Sequence, residues 1–319
     1  MEVFTCEGCG TALTTPLSRA AFPLYAGHIY GNGHPMPVLM DAGTYAVDES
    51  PDRQHRPIVI APGDAVGTLL VPERNAGFCC GLDGRDGPNL ACAGCGREVA
   101  TRVDDCSLWQ ATWLEPTAVR PVAVGPARPV ADWAQLGEQR RGTPLLDLQG
   151  EWDPRWESEL SVTLAHLVAA ADGSPVTVPD GPLADAFRRF LAALPAGRPP
   201  KRAVLAGPGL PLPEPLPDIA VVPQHPQTAE PWPTPPGVVA APLALGFWRH
   251  LAFHQEHPTR PTAGGLPPGV ERDDPLPPHP RRPVLPLDHT FLQALERIPG
   301  IRPAWLASVR DNARALLLP

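Results

Sequence analysis

The sequence predicts an α+β protein: a β-rich N-terminal domain built around paired cysteines, then a small proline-rich α/β domain with C-terminal helices. Three observations carry that expectation. Two matching motifs, Cys6-Glu-Gly-Cys9-Gly and Cys92-Ala-Gly-Cys95-Gly, bracket a stretch of short apolar runs broken by Gly, Pro and Asp. Helical apolar spacing sets in only beyond residue 150. Proline, 46 of 319 residues, crowds the second half and confines regular structure there to brief segments. A chain of this length favours two domains over one, and the expected division is 1–120, a linker at 121–150, and 151–319.

Within the first domain, residues 38–40, 43–47, 57–60 and 67–71 read as strands, being β-branched or apolar runs between turn residues. Val99, Thr101 and Val103 then alternate with Glu98 and Arg102, and a further strand places Trp109, Ala111 and Trp113 on one face. No helix is expected before residue 130. Residues 117–150 read as a Pro- and Gly-rich connection with one helical turn near 131–136.

The second domain alternates helix and strand. Residues 156–171 are apolar at helical spacing, 176–178 form a short strand, and 183–194 form a second helix. That helix turns Phe187, Phe190 and Leu191 inward and Arg188 and Arg189 outward. Residues 202–206, 219–222 and 238–241 are brief strands, and a helix over 243–257 stops at Pro258. Two helices, 290–297 and 303–317, close the chain, with Thr290 and Gln293 as a capping box and Pro303 at a first helical position. The 25 prolines between Pro195 and Pro286 are expected in extended surface loops, outside helices and central strands.

Composition excludes some function classes. A net charge of −8 and a pI near 5.7 oppose general nucleic-acid binding, which needs a basic stripe to displace counterions. Lys201 is the only lysine beside 25 arginines, read as codon bias in a GC-rich, actinobacterial genome. The start, Met1-Glu2-Val3-Phe4, has neither a basic leader nor an apolar core, and no apolar run reaches the roughly 18 residues of a spanning helix. Seven cysteines, an odd number largely in C-x-x-C pairs, fit metal binding in a reducing cytoplasm better than a disulfide framework. A cytoplasmic location is the resulting expectation.

The two motifs explain themselves chemically. Cysteines three positions apart on a tight turn aim both sulfurs at one point, and the glycines let backbone N–H groups approach the thiolates. Two such knuckles make a four-sulfur site, the preferred structural environment of Zn²⁺. Cys6, Cys9, Cys92 and Cys95 are therefore the expected metal ligands. Neither motif is followed by a helix that would lower a thiol pKa, as a thioredoxin-like redox pair requires. An alternative ligand set would use Cys80 or Cys106.

Knuckles separated by most of a β-domain resemble split zinc ribbons. They also resemble the β-tent group, which includes Yippee proteins, the cereblon ligand-binding domain and methionine sulfoxide reductase B. The resemblance covers residues 1–115 and rests on Cys6, Cys9, Cys92 and Cys95. It implies a structural zinc and, by analogy with tent proteins, an aromatic ligand cage to which Trp109 and Trp113 are the candidates. Their alternate spacing equally suits a packed core, the favoured reading. The intervening segment, 10–91, is longer than that group leads one to expect. Cys106 follows the second knuckle without the histidine-rich surroundings of the reductases.

Other candidates are weaker. Cys79 and Cys80 are adjacent, so strand geometry would point them to opposite faces. Asp83, Arg85, Asp86, Asp104 and Asp105 crowd charge near the second knuckle. With Cys106, all but Asp86 form the candidate catalytic set of an enzyme with a cleft between the domains; turn formation and solvated ion pairs are their ordinary use. His250, His254 and His257 share one helix face and are a candidate metal triad, although histidines in a last turn also suit the helix dipole. Ala206-Gly207-Pro208-Gly209 follows a strand but lacks the spacing of a phosphate loop. The leading functional expectation is a zinc-stabilised binding or accessory protein whose partner is a protein or small ligand. An enzyme is the second reading, and a zinc-ribbon nucleic-acid factor the third.

Overall fold

Short runs flanked by turn residues cannot bury themselves alone, and in the first 130 residues they pair across long sequence distances. The computed structural model describes residues 1–27, 36–49, 57–75, 77, 81–138, 152–192, 198–253, 284, 286–298 and 309. The fold is α+β, and the chain divides into two compact units, Met1–Val130 and Ala131–Pro319.

In the first unit, β1 (Glu2–Cys6) pairs antiparallel with β9 (Val119–Ala123), in register from Glu2 opposite Ala123 to Cys6 opposite Val119. The Pro- and Gly-rich composition of 117–150 predicts an irregular connection where β9 lies. Its Pro121 is tolerated because β9 is hydrogen-bonded on one side only among the described residues. The remaining strands are β2 (Ser18–Arg19), β3 (Thr44–Val47), β4 (Ile58–Ile60), β5 (Thr68–Leu70), β6 (Leu90–Cys92), β7 (Glu98–Val103) and β8 (Ala111–Leu114). They form a seven-stranded sheet in the order β2-β3-β4-β8-β7-β6-β5. Strands β3, β4, β5 and β7 lie where the apolar runs and alternation predict; β1 and β6, which end on the cysteines, were not foreseen.

Both faces of that sheet are covered. One core joins Phe4, Leu13, Leu17, Tyr45, Ile60, Val99 and Leu114, and includes Cys6 and Cys92. The other joins Met36, Leu39, Met40, Val59, Trp109 and Ala111, with Trp113 packed against it. Val59 and Ile60 are neighbours in β4 that serve opposite cores, as period-two alternation requires. Trp109 is buried, donates from Nε1 to the Tyr25 carbonyl at 3.1 Å, and sits 5.3 Å from the Tyr25 ring. Residues 38–40 are not a strand. Only Val38 bridges to Gln110, and the Gln110 side chain holds the Met36 carbonyl at 2.8 Å, so Leu39 and Met40 are buried from an irregular segment.

The second unit holds a four-stranded parallel sheet in sequential order: β10 (Val176–Thr177), β11 (Lys201–Leu205), β12 (Ile219–Gln224) and β13 (Val239–Ala244). Around it lie α1 (Trp133–Glu138), α2 (Pro154–Ala171), α3 (Pro182–Leu191), α4 (Leu245–Phe253) and α5 (Asp288–Arg297). Helix α2 starts where Asp153 caps it by accepting from Arg155 N, with Pro154 at the first position, and stops at Asp172 in the left-handed region. It packs on β13, β12 and α5. In α3, Phe187, Phe190 and Leu191 are buried and Arg188 and Arg189 exposed, as its apolar spacing predicts.

Three expectations are corrected here. Pro223 lies inside β12, a strand paired on both sides lower down; it stands beyond the last β11 pair (Leu205 with Val221), where no β11 carbonyl calls for its missing N–H. The chain instead folds back, and Trp232 N donates to the Pro223 carbonyl at 2.9 Å. Thr290 does not cap α5. The helix begins after Leu287, whose N–H donates to Ser161 Oγ of α2 at 2.7 Å, and Thr290 is fully buried within it. Helix α4 begins at Leu245, two residues later than its apolar spacing predicts, because β13 continues to Ala244. His254, His257 and nearly all of 303–317 lie outside the described residues.

Candidate metal centre

Strands β1 and β6 each deliver a cysteine at their last residue, Cys6 and Cys92, and each then turns through a knuckle carrying a second, Cys9 and Cys95. The two turns are built alike. Cys6 N donates to the Thr11 carbonyl and Gly10 N to the Cys6 carbonyl, both at 2.8 Å. Cys92 N donates to the Arg97 carbonyl at 2.7 Å and Gly96 N to the Cys92 carbonyl at 2.8 Å. Gly10 and Gly96 share a φ of 76°, which explains the glycine after each second cysteine: only glycine takes that conformation without a Cβ penalty.

These turns bring the four thiols together. Their Sγ atoms all lie within 4.8 Å of one another. Cys6 and Cys95 approach to 3.6 Å and Cys9 and Cys92 to 3.5 Å, with no disulfide among them. A tetrahedral cation with metal–sulfur bonds of about 2.3 Å needs sulfur–sulfur edges of about 3.8 Å, so the cluster fits such an ion. Cys6 and Cys92 are buried at the core, whereas Cys9 and Cys95 are exposed.

The knuckles are fitted to each other by small residues. A Cβ on Gly94 would stand 2.4 Å from Thr11 Oγ1 and 3.3 Å from Cys9 Sγ. Gly67, with a φ of 59°, receives Ala93 N at its carbonyl, and a Cβ there would meet the Ala12 carbonyl oxygen at 2.3 Å. Thr11 also contacts Cys9 Sγ through its hydroxyl at 3.2 Å. Neither Thr11 nor Gly67 stands out in the sequence. The available signal was position: Thr11 follows its Cys-Gly pair as Arg97 follows the other.

As free thiols, Cys9 and Cys95 are pushed in opposite directions. Hydrogen bonding by the Thr11 hydroxyl, and then by its backbone, pulls Cys9 down to about 6. At Cys95 the Arg97 backbone favours the thiolate, but proton sharing with Cys9 and Cys6 outweighs it and pushes the thiol up to about 12. A bound divalent cation removes that conflict, because every ligand sulfur is then deprotonated and charge-compensated.

The other sequence candidates are placed as follows. The 82–85 turn lies beside Asp104: Asp104 N donates to the Leu82 carbonyl at 3.0 Å, and Leu82 N donates to Asp104 Oδ1 at 2.8 Å. Asp83 is buried, accepts from Arg85 N at 3.0 Å, and pairs with the Arg85 guanidinium at 3.4 Å. Asp104 pairs with Arg102 at 3.3 Å. Asp105, fully buried, accepts from Ser107 N at 2.9 Å and Ser107 Oγ at 2.6 Å, and Cys106 is buried next to it. These carboxylates close turns and pair with arginines. His250 sits 5.6 Å from the Trp156 ring. Gly207, in the segment considered as a phosphate loop, is backed by Trp248 and Pro223. Cys79 and Cys80 lie outside the described residues, and no described helix is long and apolar enough to cross a membrane.

No family model has a significant match to the chain, and neither a curated protein nor a solved structure matches it.

Proposed function

We propose that the protein is a zinc-stabilised cytoplasmic binding or accessory protein, in which one Zn²⁺ on Cys6, Cys9, Cys92 and Cys95 clamps the N-terminal unit and takes no part in chemistry. The supporting observation is the convergence of four thiols from two turns with matching hydrogen bonds, within 4.8 Å of one another. An all-sulfur tetrahedral donor set favours Zn²⁺ over oxygen-seeking cations. Four protein sulfurs also leave no position for water or substrate, whereas a catalytic zinc keeps one. Knuckles at the ends of paired strands in one β-rich unit agree with the resemblance to split zinc ribbons and β-tent domains.

The partner in this reading is a protein segment or small ligand. The Pro-rich loops 206–218 and 225–238 of the second unit offer backbone outside regular structure, which a partner segment could contact. The acidic balance of the chain disfavours nucleic acid.

Metal analysis of the purified protein with X-ray absorption at the zinc edge tests this. One zinc per chain with four sulfur neighbours near 2.3 Å is the expected result. Less than half an equivalent of zinc would remove the clamp, and an oxygen neighbour from water in place of one sulfur would move the site into the catalytic class.

A further inference from the structure

Two close sulfur–sulfur contacts run between the knuckles: Cys9 to Cys92 at 3.5 Å and Cys6 to Cys95 at 3.6 Å. Each pair joins one exposed cysteine, Cys9 or Cys95, to one buried cysteine, Cys92 or Cys6. An oxidant arriving from solvent therefore meets one sulfur of each pair, and the second waits within reach behind it. That is the division of labour between an attacking and a resolving thiol. Because both pairs bridge the knuckles, oxidation along them would replace one cross-link between strands β1 and β6 by another.

We propose that the cluster is a redox switch with a built-in staple: a hydroperoxide converts Cys9–Cys92 and Cys6–Cys95 into disulfides, the metal leaves, and the knuckles stay covalently joined. In each pair the exposed thiolate attacks the hydroperoxide. A sulfur–oxygen bond forms, the O–O bond breaks, and the leaving oxygen takes a proton to depart as an alcohol or as water. The buried partner then attacks that sulfur. The S–S bond forms, the S–O bond breaks, and hydroxide leaves with a second proton as water. Each pair of thiolates thus gives two electrons to one hydroperoxide, and two protons come from solvent. Two hydroperoxides empty the site, since disulfide sulfur is no ligand for the cation. The inference rests on the zinc reading above.

The test uses the full chain as purified, with its zinc content measured first, so that absence of metal counts against that reading and not against the sulfur pairing. Hydrogen peroxide is added stepwise while a chromogenic chelator reports released metal. The protein is then alkylated and digested with trypsin. Cleavage after Arg19, Arg85 and Arg97 puts Cys6 and Cys9 on peptide 1–19 and Cys92 and Cys95 on peptide 86–97. The expected outcome is one metal released per two peroxides and a linked pair of these peptides, with fragmentation assigning Cys9–Cys92 and Cys6–Cys95. Peptides that separate with internal Cys6–Cys9 and Cys92–Cys95 bonds would overturn the proposal. So would sulfinic acids in place of disulfides, links to Cys79, Cys80 or Cys106, or metal retained after excess peroxide. In Cys9→Ser the expected product is the single Cys6–Cys95 link, and its absence in a folded variant would equally refute the pairing.

Discussion

Cys9 Sγ and Cys92 Sγ lie 3.5 Å apart although 83 positions separate them in the chain. Closing a loop of that length has an entropic cost of several kcal/mol, and two thiols in contact do not repay it. The strands on which they stand contribute through the core that includes Cys6 and Cys92, and a cation on all four thiolates would supply the remainder. Zinc binding in small modules is worth about 10–16 kcal/mol of apparent free energy, comparable to a whole domain's stability.

Removing a buried ligand therefore has a larger effect than removing an exposed one. Cys6→Ser is expected to lose stoichiometric zinc and the cooperative unfolding of residues 1–130, followed by thermal denaturation with near-UV circular dichroism. A strong chelator at neutral pH should do the same to the unaltered chain. If Cys6→Ser keeps its melting temperature, the metal is not the clamp.

Gly94 and Gly8 form a matched pair, one in each knuckle. A Cβ on Gly94 meets Thr11 Oγ1 at 2.4 Å, whereas one on Gly8 makes only ordinary contacts of 3.7–3.8 Å with Arg97, Cys95 and Cys6. Gly94→Ala should weaken zinc retention at least about tenfold in a chelator competition, roughly the effect of disturbing a metal's outer shell. Gly8→Ala should stay within about twofold. Thr11→Ala combined with Gly94→Ala should recover part of the loss, because it removes the nearest obstructing atom.

His166 in α2 gives the second unit a pH signature. Burial holds its pKa down to about 4, and its Nε2 is buried without a hydrogen-bond partner. The ordinary value in the unfolded chain is about 6.5. Between these values the unfolded state binds the proton and the folded state does not, so protonation favours unfolding. Stability is therefore full above about pH 6.5 and declines as pH falls toward 4, by about 2–3 kcal/mol in all. Urea titrations at intervals from pH 7 to 4 should show that decline and its disappearance in His166→Leu. An unchanged slope in the variant would assign the acid sensitivity to other groups.

Gly207 supports the turn after β11. Its φ of 154° and a neighbouring Trp248 ring atom at 2.5 Å from a would-be Cβ leave no place for a side chain. Trp248 is itself anchored by its Nε1 donating to the Ala206 carbonyl at 2.9 Å. Gly207→Ala should cost about 2–4 kcal/mol, from overpacking together with backbone strain. Trp248 fluorescence should shift toward that of an exposed indole, and zinc content should not change.

Much of this protein is legible in its sequence wherever the physics is local. The candidate ligands, the glycine after each second cysteine, and the amphipathic faces of α2 and α3 follow from residues within one turn of each other. What remained hidden depended on distant partners. Strand β9 reads as a Pro-rich connection until β1 lies alongside it, and Pro223 is acceptable in β12 only because β11 has already ended. Thr290 has the spacing of a helix cap, yet Ser161 of α2 holds Leu287 N and moves the start of α5 forward. The cysteines divide in the same way. Two glycine-hinged turns with two thiols each are enough, read from the chain alone, to mark a metal site wherever the four sulfurs come together. That they do come together, with Cys6 and Cys92 buried and Cys9 and Cys95 facing solvent, is a property of the folded unit. Burial and long-range pairing come from packing the whole unit, and no window of neighbouring residues contains that information.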